Sequence, residues 1–276
     1  MSSRPLVSII IPTLNSEGTV DACLESIKNQ SYGNVEVVVV DGFSGDGTGE
    51  IAERYGAEVI ESDAKRSRAR NIGVKESEGH FILSLDSDME LAEKVVEECV
   101  DTFQSDKNAG GVIIPEKSVG DGFWVKVRDF ERSFYAGTEI ESARFFKKEM
   151  VERVDGFDED VVFFEESTLP QKIEKLGYNV KLRTDSYILH HEDNFNLMNW
   201  LKKKHAYAKT ASVYSNEYKN YASKQVSILY RYSLFLKNGN WKKFLSKPLL
   251  ALGVLVLKSL EFLAGGLGYL RGKVRE

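Results

Sequence analysis

The 276-residue sequence contains only two cysteines, Cys23 and Cys99, which is too few for a disulfide framework. Both fall on apolar stripes of predicted helices, so we expect reduced thiols in the core and a reducing, cytoplasmic compartment. A signal peptide is missing from the N-terminal segment, whose apolar run reads as a strand that breaks at Pro12. Motifs for nucleic-acid recognition are also missing, which argues against a nucleic-acid partner.

A long uninterrupted apolar run is missing as well. The best candidate, residues 249–257, is too short to cross a bilayer, and Lys258 and Glu261 interrupt the apolar sequence that follows. Each charge would cost about 2.5–3.5 kcal/mol at the centre of a spanning helix. We therefore predict a helix or helical hairpin on an anionic membrane surface; the alternative is a soluble helix packed on the chain or in a dimer interface. Basic residues flank the segment: Lys242, Lys243, Lys247, Arg271, Lys273 and Arg275.

The residues that are present describe a folded protein with an uneven charge distribution. Hydrophobic residues make up 42% of the chain and charged residues 29%, as in one large domain or one domain with an appendage. Residues 1–196 hold 22 basic and 39 acidic residues, and residues 197–276 hold 15 and 3. This asymmetry indicates that the C-terminal part binds something anionic, such as a lipid surface, a phosphate-bearing acceptor or the acidic part of the protein itself.

Short continuous apolar runs alternate with helical patterns over the first 115 residues. The runs "LVSIIIPT", "NVEVVVVD", "AEVIES", "HFILSLD" and "GGVIIPE" are predicted strands, and a helix with Leu91 and Phe103 on its apolar face is predicted before the last of them. This pattern predicts an α/β fold with a mostly parallel sheet sandwiched by helices. Ligands bind at the carboxyl ends of such strands, so Asp41 and Asp86 are predicted to share one crevice.

Between residues 120 and 160 the pattern predicts no regular element. A helix with Leu169, Ile173 and Leu176 on one face follows, and then strand material that ends in His190 and His191. The remainder is basic, helical and increasingly apolar, which predicts a C-terminal helical extension.

Asp86-Ser87-Asp88 places two carboxylates at the end of the fourth predicted strand. Mg²⁺ and Mn²⁺ take oxygen ligands and commonly use one or two carboxylates together with substrate phosphates, so this pair is a candidate metal site. The alternative is a solvated turn at the start of the next helix, where Asp88 and Glu90 would favour the helix dipole.

The glycine-rich loop after the second strand imitates a dinucleotide fingerprint at Gly47, Gly49 and Ala52. A true fingerprint begins almost at the end of the strand, whereas Gly47 follows Asp41 by six residues. We therefore interpret the segment as a tight loop before a helix that Asp46 or Thr48 could cap.

Four segments occur in an order that carries a family resemblance: "VSIIIPTLN", "VVVVDGFSGDGT", "RARNIGVKESEGHFILSLDSD" and "GFDEDVVFFEESTLPQKIEKLGY". Together they resemble the family 2 glycosyltransferases, which are inverting enzymes of the GT-A fold that use nucleotide-diphosphate sugars. The resemblance covers roughly residues 5–192. It implies a catalytic domain over residues 1–196, with a donor part up to about 115 and an acceptor part over 116–196, followed by a basic helical region over 197–276.

The resemblance also implies roles for individual residues. Thr13 and Asp41 match positions that line the nucleotide base pocket, and Arg70 matches a basic residue near the donor diphosphate. Asp86 and Asp88 match the pair that holds the ribose and a divalent metal, Mn²⁺ or Mg²⁺, with Asp88 as the direct ligand. Four neighbours in the same motifs complete the donor-binding set: Pro12, Asn15, Ser44 and Ser87.

Glu165 and Glu166 match the family's "ED" pair, whose second acid is the catalytic base. His190 or His191 matches a histidine that assists the metal in some members, and His191 is the ligand that we select. The chain departs from the usual "DDGS", which here reads "DGFS", and it lacks the "QxxRW" of processive enzymes, so transfer of a single sugar is expected.

The implied activity is metal-dependent transfer of a hexosyl group to a hydroxyl acceptor. The basic apolar C-terminal region favours a lipid-linked acceptor, such as a polyprenyl-linked one, or a surface glycan, at the cytoplasmic face of a membrane. Two alternatives are a nucleotidyltransferase that makes the sugar nucleotide and a glycosyltransferase-like protein that binds without turnover.

Overall fold

The computed structural model describes residues 4–193 and 195–273, and it divides the chain into two compact units. The first unit contains the chain up to Glu116, Ser142–Glu159 and Glu165–His191. The second contains Lys117–Glu141, Asp160–Phe164 and the chain from Glu192 onward. This division differs from the predicted boundary at residue 196, because residues 117–141, which contain the helix Phe123–Arg132, belong to the second unit. Arg275, predicted to flank the C-terminal helix, lies outside the described residues.

The first unit is built on strands and helices that alternate along the chain, as the sequence predicts. Its strands are β1 (Val7–Thr13), β2 (Val35–Asp41), β3 (Glu58–Glu61), β4 (Phe81–Ser84), β5 (Met89–Leu91), β6 (Val112–Ile113), β8 (Phe145–Lys147), β9 (Leu182–Arg183) and β10 (Ile188–His191). Strand β7 (Glu116–Val119) begins at the last residue of the first segment of the first unit and continues into the second unit. Its helices are α1 (Glu17–Lys28), α2 (Thr48–Arg54), α3 (Arg66–Glu76) and α4 (Val95–Ser105). Helix α5 (Phe123–Arg132) belongs to the second unit. Helices α6 (Lys148–Arg153) and α7 (Thr168–Lys175) follow in the first unit, and a 3₁₀ turn, Glu165–Ser167, precedes α7.

Seven strands form one sheet in the order β3-β2-β1-β4-β8-β6-β9. Strands β1 to β4 pair in parallel, as do β6 and β9, whereas β8 runs antiparallel to both of its neighbours. The prediction of a mostly parallel sheet is confirmed. Thr13 is the register partner of Asp41, so the last residues of β1 and β2 lie side by side at the carboxyl edge.

Two apolar layers cover the two faces of this sheet. Ile9 and Ile11 belong to the layer with α1 and α4, and Ile10 belongs to the layer with α3, α6 and α7. Alternate residues of a strand point to opposite faces, which explains why β1 has consecutive apolar residues from Ile9 to Ile11. Cys23 and Cys99 are both buried thiols in the first layer, as predicted.

Three local predictions are wrong. Leu91 lies in β5 rather than in α4, and Leu176 follows α7 with 41% of its surface exposed. The region 120–160 contains α5, β8 and α6, where the sequence indicated no regular element. Strands of three residues such as β5 and β8 are too short for periodicity to reveal.

The second unit consists of helices around its own apolar core. They are α5 (Phe123–Arg132), α8 (Leu197–Ala208), α9 (Ala211–Glu217), α10 (Lys219–Gln225), α11 (Ile228–Ser233), α12 (Asn240–Ser246) and α13 (Pro248–Lys273), with a 3₁₀ turn at Lys237–Gly239. Helix α13 is one continuous helix of 26 residues, so of the two predicted forms, a helix and a helical hairpin, the structure has the helix. By length and composition it is the one candidate membrane span among the described residues. An 18-residue stretch within Pro248–Gly272 has a mean hydropathy of 1.8, and 33% of that stretch is buried.

Candidate functional site

Thr13 and Asp41 form the first corner of the candidate site. The Thr13 hydroxyl donates to Asp41 Oδ1 at 2.7 Å, and the Ser44 hydroxyl donates to the same oxygen at 2.6 Å. The Ser44 amide donates to Asp41 Oδ2 at 2.7 Å. Asp41 is buried and already accepts three hydrogen bonds, of the about four that a carboxylate can accept. One acceptor position on Oδ2 is left for a ligand.

The loops after β1 and β2 are bonded to each other. The Asn15 amide donates to Ser44 Oγ at 2.7 Å, and the Gly45 amide donates to Asn15 Oδ1 at 2.9 Å. Phe43 lies between Asp41 and Ser44 in sequence. Its backbone φ is 58°, and 58% of its surface is exposed. A bulky residue in this left-handed region is strained, and such strain is concentrated at functional sites.

The remaining predicted donor-binding residues lie on the same edge of the first unit. Pro12 precedes Thr13 in β1, where its register partner is Val40. The Ser87 hydroxyl donates to the Ser16 hydroxyl at 2.9 Å, which joins the Asp86–Asp88 turn to the start of α1. Ser16 occupies the N-cap position of α1, but its side chain does not cap the helix.

Arg70 is the centre of a buried charge network. It projects from α3, is 2% exposed, and lies with its guanidinium 5.5 Å from the ring centroid of Phe157. Its Nη2 is 2.8 Å from Asp86 Oδ1, and its Nη1 is 3.3 Å from Glu165 Oε1. The structure therefore brings three predicted site residues into direct contact, although they are up to 95 positions apart in sequence.

Arg144 is a member of this network that the sequence analysis missed. It precedes β8 and is 9% exposed; its Nη2 is 2.8 Å from Glu116 Oε1 and its Nη1 is 3.6 Å from Asp86 Oδ2. Burial alone would raise the pKa of Asp86, but Arg70 and Arg144 outweigh burial and hold that pKa well below its usual range. No sequence signal pointed to Arg144, because it lies in the region where no element was predicted.

Asp88 occupies the exposed end of the network and faces one of the two histidines. His190 Nε2 is 3.5 Å from Asp88 Oδ2, and His190 Nδ1 is 3.4 Å from Glu116 Oε2. His191 instead places Nε2 at 2.6 Å from Glu90 Oε1. The two rings differ in direction because neighbouring residues of a strand point to opposite faces. The structure thus brings the imidazole of His190, and not that of the selected His191, next to the Asp88 carboxylate, although the His191 amide donates to the Asp88 backbone oxygen at 2.8 Å.

The Asp86–Asp88 turn is followed by strand β5, so the alternative of a helix N-terminus is wrong. Among residues 4–193 and 195–273, no group of three or more His, Cys, Asp or Glu side chains is arranged to hold a metal by itself. Asp88 and His190 together offer one carboxylate and one imidazole at the exposed end of the network. This donor set fits a hard divalent ion that takes one or two protein ligands and completes its shell with phosphate oxygens and water.

Glu165 and Glu166 differ in their surroundings although they are adjacent. Glu165 is 6% exposed, and its Oε1 lies 3.1 Å from Arg66 Nη1 and 3.3 Å from Arg70 Nη1. Burial raises the pKa of Glu165 and outweighs the opposing effect of the two arginines. The Glu166 carboxylate is partly exposed and, within the described part of the chain, has neither a hydrogen bond nor an ion pair. Its backbone oxygen accepts a hydrogen bond from Ser142 at 2.7 Å.

Comparisons with known proteins agree with this fold. Among curated relatives, the chain is 25% identical over 222 residues to the uncharacterized glycosyltransferase EpsJ of Bacillus subtilis, covering 68% of this chain and 62% of that protein. It is 34% identical over 111 residues to the glycosyltransferase AglE of Haloferax volcanii, covering 37% of this chain and 36% of that protein. The chain therefore spans less than two thirds of the length of either relative.

Two solved structures share the fold at low sequence identity. The mannosyltransferase PcManGT from Pyrobaculum calidifontis, in complex with GDP-Man and Mn²⁺, matches with a TM-score of 0.67 at 20% identity over 98% of this chain and 88% of that one. Residues 1–349 of S. aureus TarS, in complex with UDP, match with a TM-score of 0.54 at 21% identity over 74% of this chain and 65% of that one. The predicted GT-A fold is confirmed. The sequence model named Glycosyl transferase family 2 matches residues 8–164, which is more than half of the sequence, and the chain belongs to that family.

Proposed function

We propose that this chain is an inverting glycosyltransferase that moves a single sugar from a nucleotide-diphosphate sugar to a hydroxyl acceptor. The observation that carries the proposal is the contrast between two carboxylates of one site. The Glu166 carboxylate has neither a hydrogen bond nor an ion pair in the described part of the chain, and Arg144 acts on it only electrostatically, while Asp86 and Glu165 are paired with buried arginines. A carboxylate that is not committed to an ion pair, next to a fixed charge network, suits a group that accepts a proton during a reaction.

The base of the donor nucleotide would lie at the Thr13–Asp41 corner. The remaining acceptor position on Asp41 Oδ2 can receive one N–H from a base, and the buried carboxylate is held rigidly by Thr13 and Ser44. Asn15 would line the same pocket, since its backbone and side chain hold the facing loop in place.

Asp88 and His190 would hold a divalent metal, Mn²⁺ or Mg²⁺, against the donor diphosphate. When bound, such an ion neutralises charge on the phosphate oxygens and assists departure of the nucleotide diphosphate. The presence of Mn²⁺ with GDP-Man in PcManGT supports this assignment. Glu116 would orient His190, because a carboxylate at Nδ1 fixes the tautomer that leaves the Nε2 lone pair toward Asp88.

Glu166 would act as the general base. It would take the proton of the acceptor hydroxyl while that oxygen attacks the anomeric carbon, and direct displacement would invert the configuration at that carbon. Arg66, Arg70 and Arg144 add fixed positive charge beside the acids, which favours the negative charge that develops on the leaving diphosphate. Glu165 would be a positioning residue, since it is committed to Arg66 and Arg70.

The acceptor and the location follow from the second unit. We propose a lipid-linked acceptor or a surface glycan and peripheral association with the cytoplasmic face of a membrane, supported by 15 basic against 3 acidic residues after position 196.

A screen of nucleotide-diphosphate sugars with and without Mn²⁺ or Mg²⁺ tests the proposal. A donor that binds only the folded state raises the melting temperature, by an amount equivalent to about 2.7 kcal/mol at 100 times its dissociation constant. The donor that gives the largest shift should then be consumed with a hydroxyl acceptor, and NMR of the product should show an inverted anomeric centre. Consumption of a nucleoside triphosphate with a sugar phosphate would instead identify a nucleotidyltransferase, and binding of a donor without any turnover would identify a binding protein.

A further inference from the structure

Helix α13 exposes an apolar side and buries the two charged residues, Lys258 and Glu261, that interrupt its apolar sequence. Its most exposed large side chains recur at intervals of three, four and seven residues between positions 249 and 270, which places them on one face of the helix. A helix on the surface of a soluble protein has the opposite arrangement, with its apolar stripe toward the core. We call this set the outer face: Leu249, Leu252, Leu255, Val256, Leu263, Leu267 and Leu270.

The opposite side of α13 carries the charges that interrupt the apolar sequence. Lys258 is 5% exposed, its Nζ lies 2.6 Å from Glu131 Oε1 on α5, and it also pairs with Glu261. Trp200 Nε1 on α8 donates to Glu261 Oε1 at 2.5 Å. Lys258 and Glu261, the two charges that interrupt the apolar sequence of α13, are thus both paired inside the second unit.

Glycines hold the same side of α13 close to its neighbours. A Cβ added at Gly253 would lie 2.5 Å from a methyl group of Val127 on α5. A Cβ added at Gly268 would lie 2.1 Å from the backbone oxygen of His205 on α8. Contacts this short leave no room for lipid between α13 and these helices. Transfer of α13 alone into a bilayer would break the buried ion pairs and this packing, which disfavours a spanning orientation.

Helix α12 adds basic and aromatic residues to the surface next to α13 in sequence. Trp241 is 47% exposed and Leu245 67% exposed, and Lys242, Lys243 and Lys247 are exposed around them. Exposed lysines beside an apolar surface match a lipid surface with negatively charged head groups, and tryptophan favours the membrane–water interface. A second copy of the chain would bring the same lysines together, which is unfavourable.

We propose that α12 and the outer face of α13 form a docking surface for an anionic lipid membrane, with α13 parallel to the membrane plane. The outer face extends over 22 residues, roughly 33 Å at the rise of an α-helix. Its leucines enter the boundary between head groups and acyl chains, and the lysines of α12 contact the head groups. This inference does not depend on the catalytic proposal, since transfer to a soluble acceptor would leave the surface unchanged.

Cosedimentation of the full chain with vesicles tests the surface. The vesicles contain phosphatidylcholine alone or phosphatidylcholine mixed with phosphatidylglycerol. Leu263→Glu should weaken binding to the mixed vesicles on the order of tenfold, whereas Leu176→Glu, which adds the same charge to an exposed leucine of the first unit, should leave it unchanged. Replacing Lys242, Lys243 and Lys247 by glutamine should weaken binding to mixed vesicles on the order of 100-fold, at roughly fivefold for each lysine.

The melting temperatures of Leu263→Glu and Leu176→Glu should match that of the unmodified chain, because these two side chains are exposed. Equal vesicle binding by Leu263→Glu and the unmodified chain would overturn the proposal. A dimer that Leu263→Glu dissociates, without any vesicle binding, would identify a second copy as the occupant. Membrane-bound chain that resists extraction at alkaline pH would show that α13 spans the bilayer, which also contradicts the proposal.

Discussion

Replacing Glu165 or Glu166 by glutamine should separate two roles that adjacent carboxylates hold in the proposed site. Glutamine keeps the size of the side chain and removes only its charge and basicity. Glu165 pairs with Arg66 and Arg70, whereas the Glu166 carboxylate has neither a hydrogen bond nor an ion pair among the described residues. Glu165→Gln should therefore lower stability, and Glu166→Gln should lower turnover.

The magnitudes follow from the exposure of the partners. The Arg66 side chain is 44% exposed, so its pair with Glu165 contributes little, whereas the Arg70 side chain is 2% exposed. Removing one partner of a buried pair costs about 3–5 kcal/mol, but Arg70 keeps its pair with Asp86, and burial already disfavours the charged form of Glu165, whose pKa is raised. The loss should therefore be about 1 kcal/mol, and for a protein of this size the melting temperature should fall by roughly 2–4 °C. Loss of a general base lowers the rate by about 10²- to 10⁴-fold.

The assay is a pair of measurements on each variant: thermal unfolding, and turnover of the donor found in the sugar-nucleotide screen. Glu166→Gln should keep the melting temperature and the donor affinity while its turnover falls by two orders of magnitude or more. Glu165→Gln should have a lower melting temperature than the unmodified chain. Below that temperature, its turnover rate should be higher than that of Glu166→Gln. Turnover close to that of the unmodified chain in Glu166→Gln would refute the assignment of the base.

Three further predictions concern other parts of the site. Phe43→Gly should raise the free energy of unfolding in urea by up to about 1 kcal/mol, because glycine has no penalty at a φ of 58°; a lower value would show that the Phe43 side chain itself stabilises the fold. His190→Ala should weaken Mn²⁺ binding in titration calorimetry about 10- to 100-fold and His191→Ala should not, and the reverse result would restore His191 as the ligand. Because Arg70 and Arg144 lower the pKa of Asp86 in the folded state, its stabilising effect is complete above the ordinary pKa of about 3.9 and is lost as the pH falls through the lower, folded-state pKa. The difference in unfolding free energy between the unmodified chain and Asp86→Asn should thus stay constant from pH 8 to about pH 5 and shrink only in stronger acid; a loss that begins near neutral pH would contradict the lowered pKa.

The sequence by itself determined the parts of this protein that depend on local pattern. Continuous apolar strands that alternate with amphipathic helices predicted the parallel sheet, since burial on both faces requires apolar residues at every position of a strand. Asp41 and Asp86 could be placed at one edge because parallel strands end at the same side of a sheet. The order of four motifs was enough to predict the family and the identity of the acids.

Only the tertiary structure decided which side chains meet. Arg144 comes to Asp86 from 58 positions away by way of a short antiparallel strand, and neither periodicity nor motif spacing carries that information. The sequence does not distinguish His190 from His191. In the structure, neighbouring residues of one strand point to opposite faces, so the His190 ring lies beside Asp88 and the His191 ring beside Glu90. The same holds for α13. In the sequence, Lys258 and Glu261 only interrupt an apolar segment, whereas in the folded chain Lys258 pairs with Glu131 and Glu261 accepts a hydrogen bond from Trp200. Contacts between distant segments depend on packing of the whole chain, which local sequence patterns do not encode.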